Sequence, residues 1–456
     1  NTATVQFLYD WSVGGDLTVH GPAEVVNSIT TYGSQTWHGD VNVVGFTENV
    51  AFTATTGDVV FEGDLLAGAR AEDRADFLSL ETGSEGAWRV PLGTSGLKIW
   101  AIGAGGGGGG ADDAYANGSR QNSWGSSGGG AGAVAYVTLD VDQLSNLEAG
   151  QLAYVIGEGG KGTYSIRDGE DGGETRVTLP SGTLIAGGGK GGTNEYRQDF
   201  SGSPSYGDGG SPGGVYDSGA TGGHGGETWQ YYGGGGGGAI GGRIGDDGNG
   251  SSGGHGYTGN DVGGLEAAIA LYNEGVPSSD QLPVIDGNEV YDRSGSAADD
   301  ATAFGGGGAG GDDSNGSDGG DGRYGGGGGG AGTNDSSQYG GDGGDGAIML
   351  RYTLAPQSVT IDAGDDVRVG GELTGKSVTI NTGDTDNADG SYIAGSVDVG
   401  DDAADAFIKQ GDGTLELRSD NEFTATTRVE AGTLQLGNGA GAGSLSSNTI
   451  ELDDSA

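Results

Sequence analysis

The chain has no cysteine among its 456 residues, so disulfides, thiolate metal sites and cysteine nucleophiles are excluded. It is also poor in basic residues, since 19 Lys and Arg stand against 65 Asp and Glu, for a formal net charge of −46. Nucleic-acid binders neutralise phosphates with a basic face, and we expect no nucleic-acid partner. No apolar run reaches the roughly 20 residues of a membrane-spanning helix, and we expect no such segment.

Two further shortages concern the first residues and the hydrophobic content. The start shows no charged and then apolar signal peptide, and we expect a mature chain or a segment of a longer protein. Hydrophobic residues make up 33% of the chain, and low hydrophobicity with high charge is typical of disorder. The regular spacing of Val, Ile, Leu and Phe favours repetitive β-structure instead.

Glycine is abundant and unevenly distributed. Of the 108 glycines, 80 lie in the 244 residues from Gly103 to Gly346, and 28 lie in the other 212. This composition predicts three parts: a β-strand repeat flank over residues 1–92, a glycine-rich domain over 93–353 and a second β-solenoid flank over 354–456.

The first flank alternates apolar and polar residues in short segments separated by Gly, Asn and Asp. This spacing suits a β-sandwich or a right-handed parallel solenoid. The strands it predicts are Asp16–His20, Val25–Ile29, Gln35–Trp37, Val41–Val44, Val50–Phe52, Val59–Phe61 and Phe77–Leu80. The segment Ser28-Ile-Thr-Thr-Tyr-Gly-Ser-Gln-Thr-Trp-His-Gly-Asp-Val-Asn-Val43, followed by Gly57-Asp-Val-Val-Phe-Glu-Gly63, resembles repeats of large bacterial surface and filamentous-haemagglutinin-type proteins.

The second flank carries two Gly-Thr-Leu-x-Leu segments that would stack as successive solenoid coils. They lie within Lys409-Gln-Gly-Asp-Gly-Thr-Leu-Glu-Leu417 and Thr427-Arg-Val-Glu-Ala-Gly-Thr-Leu-Gln-Leu-Gly437. The pair resembles the passenger-associated repeat of autotransporters, with Phe423 where that family usually has Tyr. Stacking predicts four core leucines: Leu415, Leu417, Leu434 and Leu436.

The glycine-rich part opens with the strand-like Gly96-Leu-Lys-Ile-Trp-Ala-Ile-Gly-Ala104 and closes with Gly340-Gly-Asp-Gly-Gly-Asp-Gly-Ala-Ile-Met-Leu-Arg-Tyr352. The order of strands and glycine runs between them resembles the glycine-rich domain of phage tail fibres, bacterial surface proteins and the anaplastic lymphoma kinase extracellular region. Polyglycine can adopt an extended helix of three residues per turn, and helices without side chains can exchange backbone hydrogen bonds. We expect such packing rather than a flexible linker. A single helix is predicted within residues 262–275, with Leu265, Ile269 and Tyr272 on one face.

Aromatic residues beside the glycine runs are the best binding candidates. They are Tyr115, Trp124, Trp229, Tyr231 and Tyr232. Exposed rings of this kind can stack on sugars or anchor an interface, and the alternative is that they wedge between glycine helices.

Calcium is the one cofactor that the sequence suggests, because hard oxygen ligands in turns suit Ca²⁺. Two acidic turns approximate calcium loops, one with Asp384, Asp386 and Asp389 and one with Asp246, Asp247 and Asn249. The alternative for both turns is a set of solvated acids. The overall acidity likewise has two interpretations, a saline habitat or divalent cations that bridge carboxylates.

Catalysis is not expected. The four histidines have no metal-ligand spacing, and no Gly-x-Ser-x-Gly nucleophile motif opens a strand-to-helix turn.

Together, these patterns predict an all-β fold with parallel β-solenoid flanks and an inserted glycine-rich domain of β-strands and polyglycine II-type helices. We expect an extracellular structural or adhesive protein on a bacterial surface, either a stalk carrying the glycine-rich module or a filament subunit. The first alternative is a receptor-binding tip like that of a phage tail fibre, and the second is a polysaccharide-degrading enzyme. The expected partners are other copies of the chain, or a glycan or protein on a host or neighbouring surface.

Overall fold

The chain folds into two compact units. The computed structural model describes residues 4–44, 49–68, 71–80, 84–91, 93–111, 115–116, 119–120, 125–147, 150–165, 167–193, 207–226, 228–229, 235–240, 248–249, 256–257, 263–274, 276–278, 280–285, 289–290, 300–301, 304–311, 318–332, 338–383, 390–421, 423–437, 443–447 and 449–453. The solenoid unit comprises Asn1–Asp73, Pro91–Ser95 and Thr353–Ala456, and the glycine-rich unit comprises Arg74–Val90 and Gly96–Tyr352. Among the described residues, no helix has the length and apolar character needed to cross a bilayer.

The described strands of the solenoid unit form three parallel sheets, one on each face of the solenoid. The first sheet contains β1 (Val5–Phe7), β4 (Ala23–Val25), β7 (Val41–Val43), β10 (Leu65–Leu66), β29 (Leu373–Gly375) and β32 (Val397–Val399). The second contains β2 (Trp11–Val13), β5 (Ile29–Thr31), β8 (Asn49–Ala54), β27 (Ser358–Ala363), β30 (Val378–Thr382), β33 (Ala406–Gln410), β35 (Thr426–Val429) and β37 (Ile450–Leu452). The third contains β3 (Leu17–Val19), β6 (Gln35–Trp37), β9 (Val59–Phe61), β28 (Val367–Val369), β31 (Ser391–Ile393), β34 (Thr414–Leu417) and β36 (Thr433–Leu436).

The alternating sequence pattern explains the strands of this unit. Most three-residue strands bury their first and third side chains and turn the middle one outward, as expected for period-two side-chain directions. The inward residues stack from coil to coil, and their core includes Trp37, Phe52 and Phe61 in mutual ring contact. The all-β solenoid prediction is confirmed, and the parallel pairing excludes the sandwich alternative.

The solenoid continues in register across the inserted segment. The chain leaves the solenoid after β10, a strand of the first sheet, and re-enters it at β27, a strand of the second sheet. There Val359 pairs with Val50 and Ile361 with Phe52. Val367 likewise pairs with Val59, and Leu373 with Leu65. The two flanks are therefore consecutive parts of one solenoid, as the sequence indicates.

Side chains at the turns cap the backbone of the following coil. Asp16 Oδ1 accepts a hydrogen bond from Ser34 N, Ser34 Oγ from Asp58 N, and Asp58 Oδ1 from Asp366 N, at 2.8 to 3.2 Å. Short polar side chains thus satisfy turn amides that the sheets leave unpaired.

Some strand and core predictions are wrong in detail. Val25–Ile29 is not one strand, because the chain turns between β4 and β5 and buries both Val25 and Ile29. Leu415 and Leu417 are buried as predicted, but Leu434 is only partly buried and Leu436 is 45% exposed. The cause is their position in β36, which pairs with β34 on one side and ends the order of the third sheet.

In its described residues, the glycine-rich unit combines two antiparallel sheets with short two-stranded pairs and two helices. One sheet has the order β11 (Glu72–Leu78), β26 (Ala347–Leu354), β13 (Thr94–Ile102), β16 (Val134–Asp140) and β21 (Ser218–Ala220). The other has the order β12 (Glu85–Arg89), β17 (Gln151–Val155), β18 (Thr175–Leu179), β19 (Gly182–Ala186) and β20 (Pro212–Gly214). The two-stranded pairs are β14 (Tyr115–Ala116) with β15 (Ser119–Arg120), β22 (Thr228–Trp229) with β23 (Gly248–Asn249), and β24 (Gly256–Tyr257) with β25 (Glu289–Val290).

The helices are α1 (Val141–Ser145) and α2 (Leu265–Asn273). A capping box starts α1, because Asp140 accepts from Gln143 N and the Gln143 side chain accepts from Asp140 N. In α2, Leu265 and Ile269 are buried, and Tyr272 packs against the same apolar cluster. The predicted helical face is confirmed.

The first glycine run, residues 103–111, donates its backbone N–H groups to three neighbouring segments in turn, with donor–acceptor distances of 2.8 to 3.3 Å. Segment 127–133 accepts the hydrogen bonds of Gly103, Gly106 and Gly109. Segment 167–173 accepts those of Ala104, Gly107 and Gly110, and segment 338–344 accepts those of Gly105, Gly108 and Ala111. Its carbonyls accept from segments 160–163, 189–192 and 328–331 with the same three-residue period. Six backbone segments therefore surround this run and satisfy it without side chains.

Candidate binding surface

The predicted aromatic and calcium sites fall outside what the structure describes. Trp124, Tyr231, Tyr232, Asp246, Asp247, Asp384, Asp386 and Asp389 lie outside the described residues. For Tyr115, Trp229 and Asn249 only the backbone is described, in β14, β22 and β23. These sites stay predictions.

A pair of exposed tyrosines, which we call the tyrosine pair, lies where two glycine segments end. Tyr164 follows segment 160–163, Tyr339 is the second residue of segment 338–344, and the two residues form an antiparallel bridge. Their ring centroids are 4.5 Å apart at an interplanar angle of 38°. Tyr164 is 45% exposed and Tyr339 is 52% exposed. Each ring therefore supports the other and keeps a face open to solvent.

The backbone around the tyrosine pair is fixed by hydrogen bonds. Tyr339 N donates to Asp318 Oδ1 at 2.8 Å, and Gly319 N donates to the Tyr339 carbonyl. Gly340 N donates to the Thr163 carbonyl at 2.9 Å. A fixed aromatic pair of this kind can stack on the apolar face of a ring, and its hydroxyl groups can donate and accept hydrogen bonds.

The tyrosine pair is not among the binding candidates that the sequence predicts, although a signal for it exists. Both rings border glycine runs, which was the criterion that singled out Tyr115 and Trp229. The juxtaposition itself could not be predicted, because the two residues are far apart in the chain and meet only through the packing of glycine segments.

A row of carboxylates runs along the same glycine segments. Asp300 Oδ1 accepts from Asp321 N, Asp321 Oδ1 from Asp342 N, and Asp342 Oδ1 from Gly162 N, at 2.6 to 2.8 Å. Lys161 Nζ lies 2.9 Å from Asp342 Oδ2, and this hydrogen bond and the charge of Asp342 raise the pKa of Lys161 above 10.5.

Asp321, in the middle of this row, has a raised pKa. Burial is the main cause, and the charges of Asp300 and Asp342 add to it, against the hydrogen bond from Asp342 N and the charge of Lys161. A folded-state pKa above 3.8 means that the folded protein binds more protons than the unfolded chain just above that pH. Ionisation of Asp321 therefore lowers the free energy of unfolding. This loss of stability sets in as the pH rises from 3.8 through the higher pKa of the folded state.

We expect Asp321→Asn to raise the melting temperature slightly at pH 7. The amide oxygen can still accept from Asp342 N, while the desolvated charge and its repulsion are removed. At pH 3 the carboxyl is largely neutral, and the two proteins should melt together. Thermal unfolding followed by circular dichroism checks this, and an unchanged or lower melting temperature at pH 7 would contradict it.

The described residues also contain a shallow cavity of about 520 Å³ beside α1. Ala87, Leu147, Ala153 and Leu179 supply apolar surface, while Asn146 and Gln151 supply neutral polar groups. Such a lining suits a small uncharged ligand, but it offers neither an aromatic ring nor an ionised side chain.

One group of three carboxylates among the described residues is close enough to hold a cation: Asp58, Asp365 and Asp366 in the solenoid unit. Arg368 lies 3.3 Å from Asp58 and 2.7 Å from Asp366, and Ser391 Oγ donates to Asp366 at 2.9 Å. The guanidinium already compensates much of this charge, so the group is explained as a link between coils.

Comparison with protein families identifies two regions. Residues 81–353 match the family described as glycine-rich domain, and residues 407–436 match the passenger-associated-transport repeat. No curated protein matches the chain. The first match covers more than half of the chain, and the second supports an autotransporter-like passenger, which is a secreted or surface-exposed bacterial protein.

Proposed function

From the premise that the chain belongs to the glycine-rich domain family, we propose that it is a structural and adhesive protein of a bacterial surface. In this proposal the solenoid is a stalk, the glycine-rich unit is the module that it carries, and the tyrosine pair contacts a glycan on a host or neighbouring cell. No catalytic step is part of the proposal.

The observation that carries the stalk role is the register of the solenoid across the insertion. Ser358–Ala363 pairs along its whole length with Asn49–Ala54, although the entire glycine-rich unit lies between them in sequence. A repeat solenoid depends on contacts between neighbouring coils, and these contacts are kept. An uninterrupted stack that accepts a large insertion suits a protein whose task is to carry a module.

The module role depends on a glycine-rich unit that is a rigid body rather than a tether. We propose that its glycine segments are polyglycine II-type helices, since an extended three-residue helix accounts for donors that point in three directions with period three. Gly105 through Gly110 are all buried, and ordering so many glycines costs much backbone entropy. Bonds to six neighbouring segments offset this cost, and a rigid unit holds the tyrosine pair in one geometry.

The adhesive role is tested by glycan-array binding of the wild-type chain and of the Tyr164→Ala/Tyr339→Ala variant. We expect the double variant to bind the same glycans at least about tenfold more weakly, because a lost stacking contact of roughly 1.4 kcal/mol is a factor of ten.

Tyr216→Ala is the matched control, because Tyr216 is a 42% exposed tyrosine of the same unit. Its binding should equal that of the wild type. If the double variant binds glycans as tightly as the wild type, the tyrosine pair is excluded as the contact. Regular polymers of the purified chain in electron micrographs, without glycan binding, would instead favour a filament subunit over an adhesin.

A further inference from the structure

The tyrosine pair has a geometry in which its two rings can be joined covalently. Tyr164 and Tyr339 form an antiparallel bridge, and beside it Gly340 N donates to the Thr163 carbonyl at 2.9 Å. This bond between flanking residues places the tyrosines at a non-hydrogen-bonded position, where facing side chains approach most closely. The ring centroids are 4.5 Å apart, which is the short end of the range for aromatic pairs. Carbon atoms of the two rings therefore lie in van der Waals contact, at about 3.5–4.0 Å.

The backbones that carry the two rings are held against each other. A Cβ at Gly162 would overlap the carbonyl oxygen of Gly340, and a Cβ at Gly340 would overlap that of Gly108 in the first glycine run. Contacts this close leave the two segments no room to slide past each other. The rings are kept together in the same way, so that reactive groups formed on both of them would meet at once.

The chain holds few groups that would divert an oxidant from these rings. It has no cysteine and a single methionine, and Met349 is fully buried, so the sulfur oxidation that usually competes is absent from the surface. Both rings of the tyrosine pair are about half exposed. The other exposed tyrosines of the described residues make no ring contact with a described tyrosine; they are Tyr9, Tyr32 and Tyr216. Among the described residues, an oxidant in solution therefore finds two exposed phenols in contact at the tyrosine pair.

We propose that Tyr164 and Tyr339 are a modification site, at which a one-electron oxidant of the haem-peroxidase type, supplied with hydrogen peroxide, couples the two rings to dityrosine. Each phenol loses one electron and its hydroxyl proton, and a carbon–carbon bond forms between one Cε atom of each ring. The hydrogen on each coupled carbon then moves to the oxygen, which restores both hydroxyl groups. The two electrons and two protons reduce one hydrogen peroxide to two water molecules.

The cross-link joins two of the segments that surround the first glycine run. Segment 160–163 donates to the carbonyls of that run, and segment 338–344 accepts from its N–H groups. A covalent link between residues far apart in sequence stabilises a fold mainly by restricting the unfolded chain. In a chain without cysteine, dityrosine supplies the covalent tie that a disulfide cannot. The inference does not rest on the adhesive role, because coupling needs no glycan.

The test is treatment of the full chain, in dilute solution, with a haem peroxidase and hydrogen peroxide, followed by proteolysis and peptide mass spectrometry. We expect one major cross-linked product, in which the peptides of Tyr164 and Tyr339 are joined with the loss of two hydrogen atoms. The treated protein should show dityrosine fluorescence and migrate as a single chain on a denaturing gel. Its melting temperature should rise by about 10 °C.

Tyr164→Phe and Tyr339→Phe keep both rings but remove one hydroxyl, and each should abolish this product while the circular dichroism spectrum stays that of the wild type. Tyr216→Phe is the matched control, because Tyr216 is an exposed tyrosine of the same unit, and its yield of product should equal that of the wild type. An undiminished yield in Tyr164→Phe, or products formed mainly between chains, would overturn the proposal. Coupling without a rise in melting temperature would overturn the stabilising role of the link.

Discussion

Gly108→Ala should destabilise the glycine-rich unit by about 3 kcal/mol, the upper end of what overpacking costs. An added Cβ would overlap the carbonyl oxygen of Gly329, and the carbon of that carbonyl would be 2.6 Å away. Both atoms are backbone, and no side chain can rotate to make room. Relief would require a shift of a segment that is itself bonded, since Gly329 N donates to the Gly320 carbonyl.

The same substitution also threatens the hydrogen bonds of Gly108. Its N–H donates to the Gly341 carbonyl at 2.8 Å, and its carbonyl accepts from Thr163 N at 3.3 Å. If the backbone moves to admit a methyl group, at least one of these buried groups loses its partner, at roughly 1–3 kcal/mol. Strain and lost bonding therefore act in the same direction.

Hydrogen exchange of the backbone amides measures the effect locally. We expect faster exchange across residues 103–111 and the segments around them in Gly108→Ala, with the solenoid strands unchanged. Gly96→Ala is the matched control in the same unit, because nothing lies within 4 Å of a Cβ added at Gly96. Protection of the glycine segments in Gly108→Ala equal to that in Gly96→Ala would contradict the packing described here.

The period-two pattern predicts the solenoid well because each strand carries its own signal. Gln35–Trp37 and Val59–Phe61 are found as strands with the predicted bounds. The error at Val25–Ile29 arises because an apolar residue at each end of a corner resembles a single alternating strand, whereas the chain turns and buries both residues on different faces. A three-residue strand is too short for the pattern alone to place its end.

The packing of the glycine segments could not be predicted to the same extent. Gly105 and Gly106 are identical in sequence, yet the first donates to Gly344 and the second to Gly130. No side chain distinguishes these partners, so the anchoring strands and the length of each connection must decide the pairing. The tyrosine pair has the same origin, since it depends on the pairing of two segments distant in sequence.

Lys409→Met should destabilise the solenoid unit by about 3 kcal/mol, although the substitution keeps an unbranched side chain of similar length. Lys409 is fully buried in β33, within the passenger-associated-transport repeat. Its Nζ donates to the carbonyls of Gln410, of Gly411 at 2.8 Å and of Ala431 at 3.3 Å. Methionine has no donor, so these carbonyls lose a shared partner, which costs roughly 1–3 kcal/mol for each buried group left unsatisfied.

Lys376→Met is the matched control, because Lys376 is a partly exposed lysine of the same unit, and surface substitutions usually stay within about 0.5 kcal/mol. Denaturant unfolding followed by tryptophan fluorescence compares the two variants. Equal midpoints would mean that the buried ammonium group does not support the turns of the repeat.

The pH dependence of the Lys409 variant separates lost charge from lost packing. Burial lowers the pKa of Lys409 from 10.5 to about 8, against a smaller opposing effect of the charge of Asp412. Between these two values the unfolded chain binds the proton that the folded protein has lost, so the stability contributed by this group rises with pH. This pH-dependent part is fully present above 10.5 and is lost as pH falls through about 8, whereas Nζ can donate hydrogen bonds to the carbonyls in either protonation state. The free energy of unfolding of the wild type should therefore rise relative to that of Lys409→Met when the pH is raised from 8 towards 10.5. Every other titrating group is common to both proteins, so the difference reports on Lys409 alone. Parallel stability curves over that range would show that the side chain acts by packing alone.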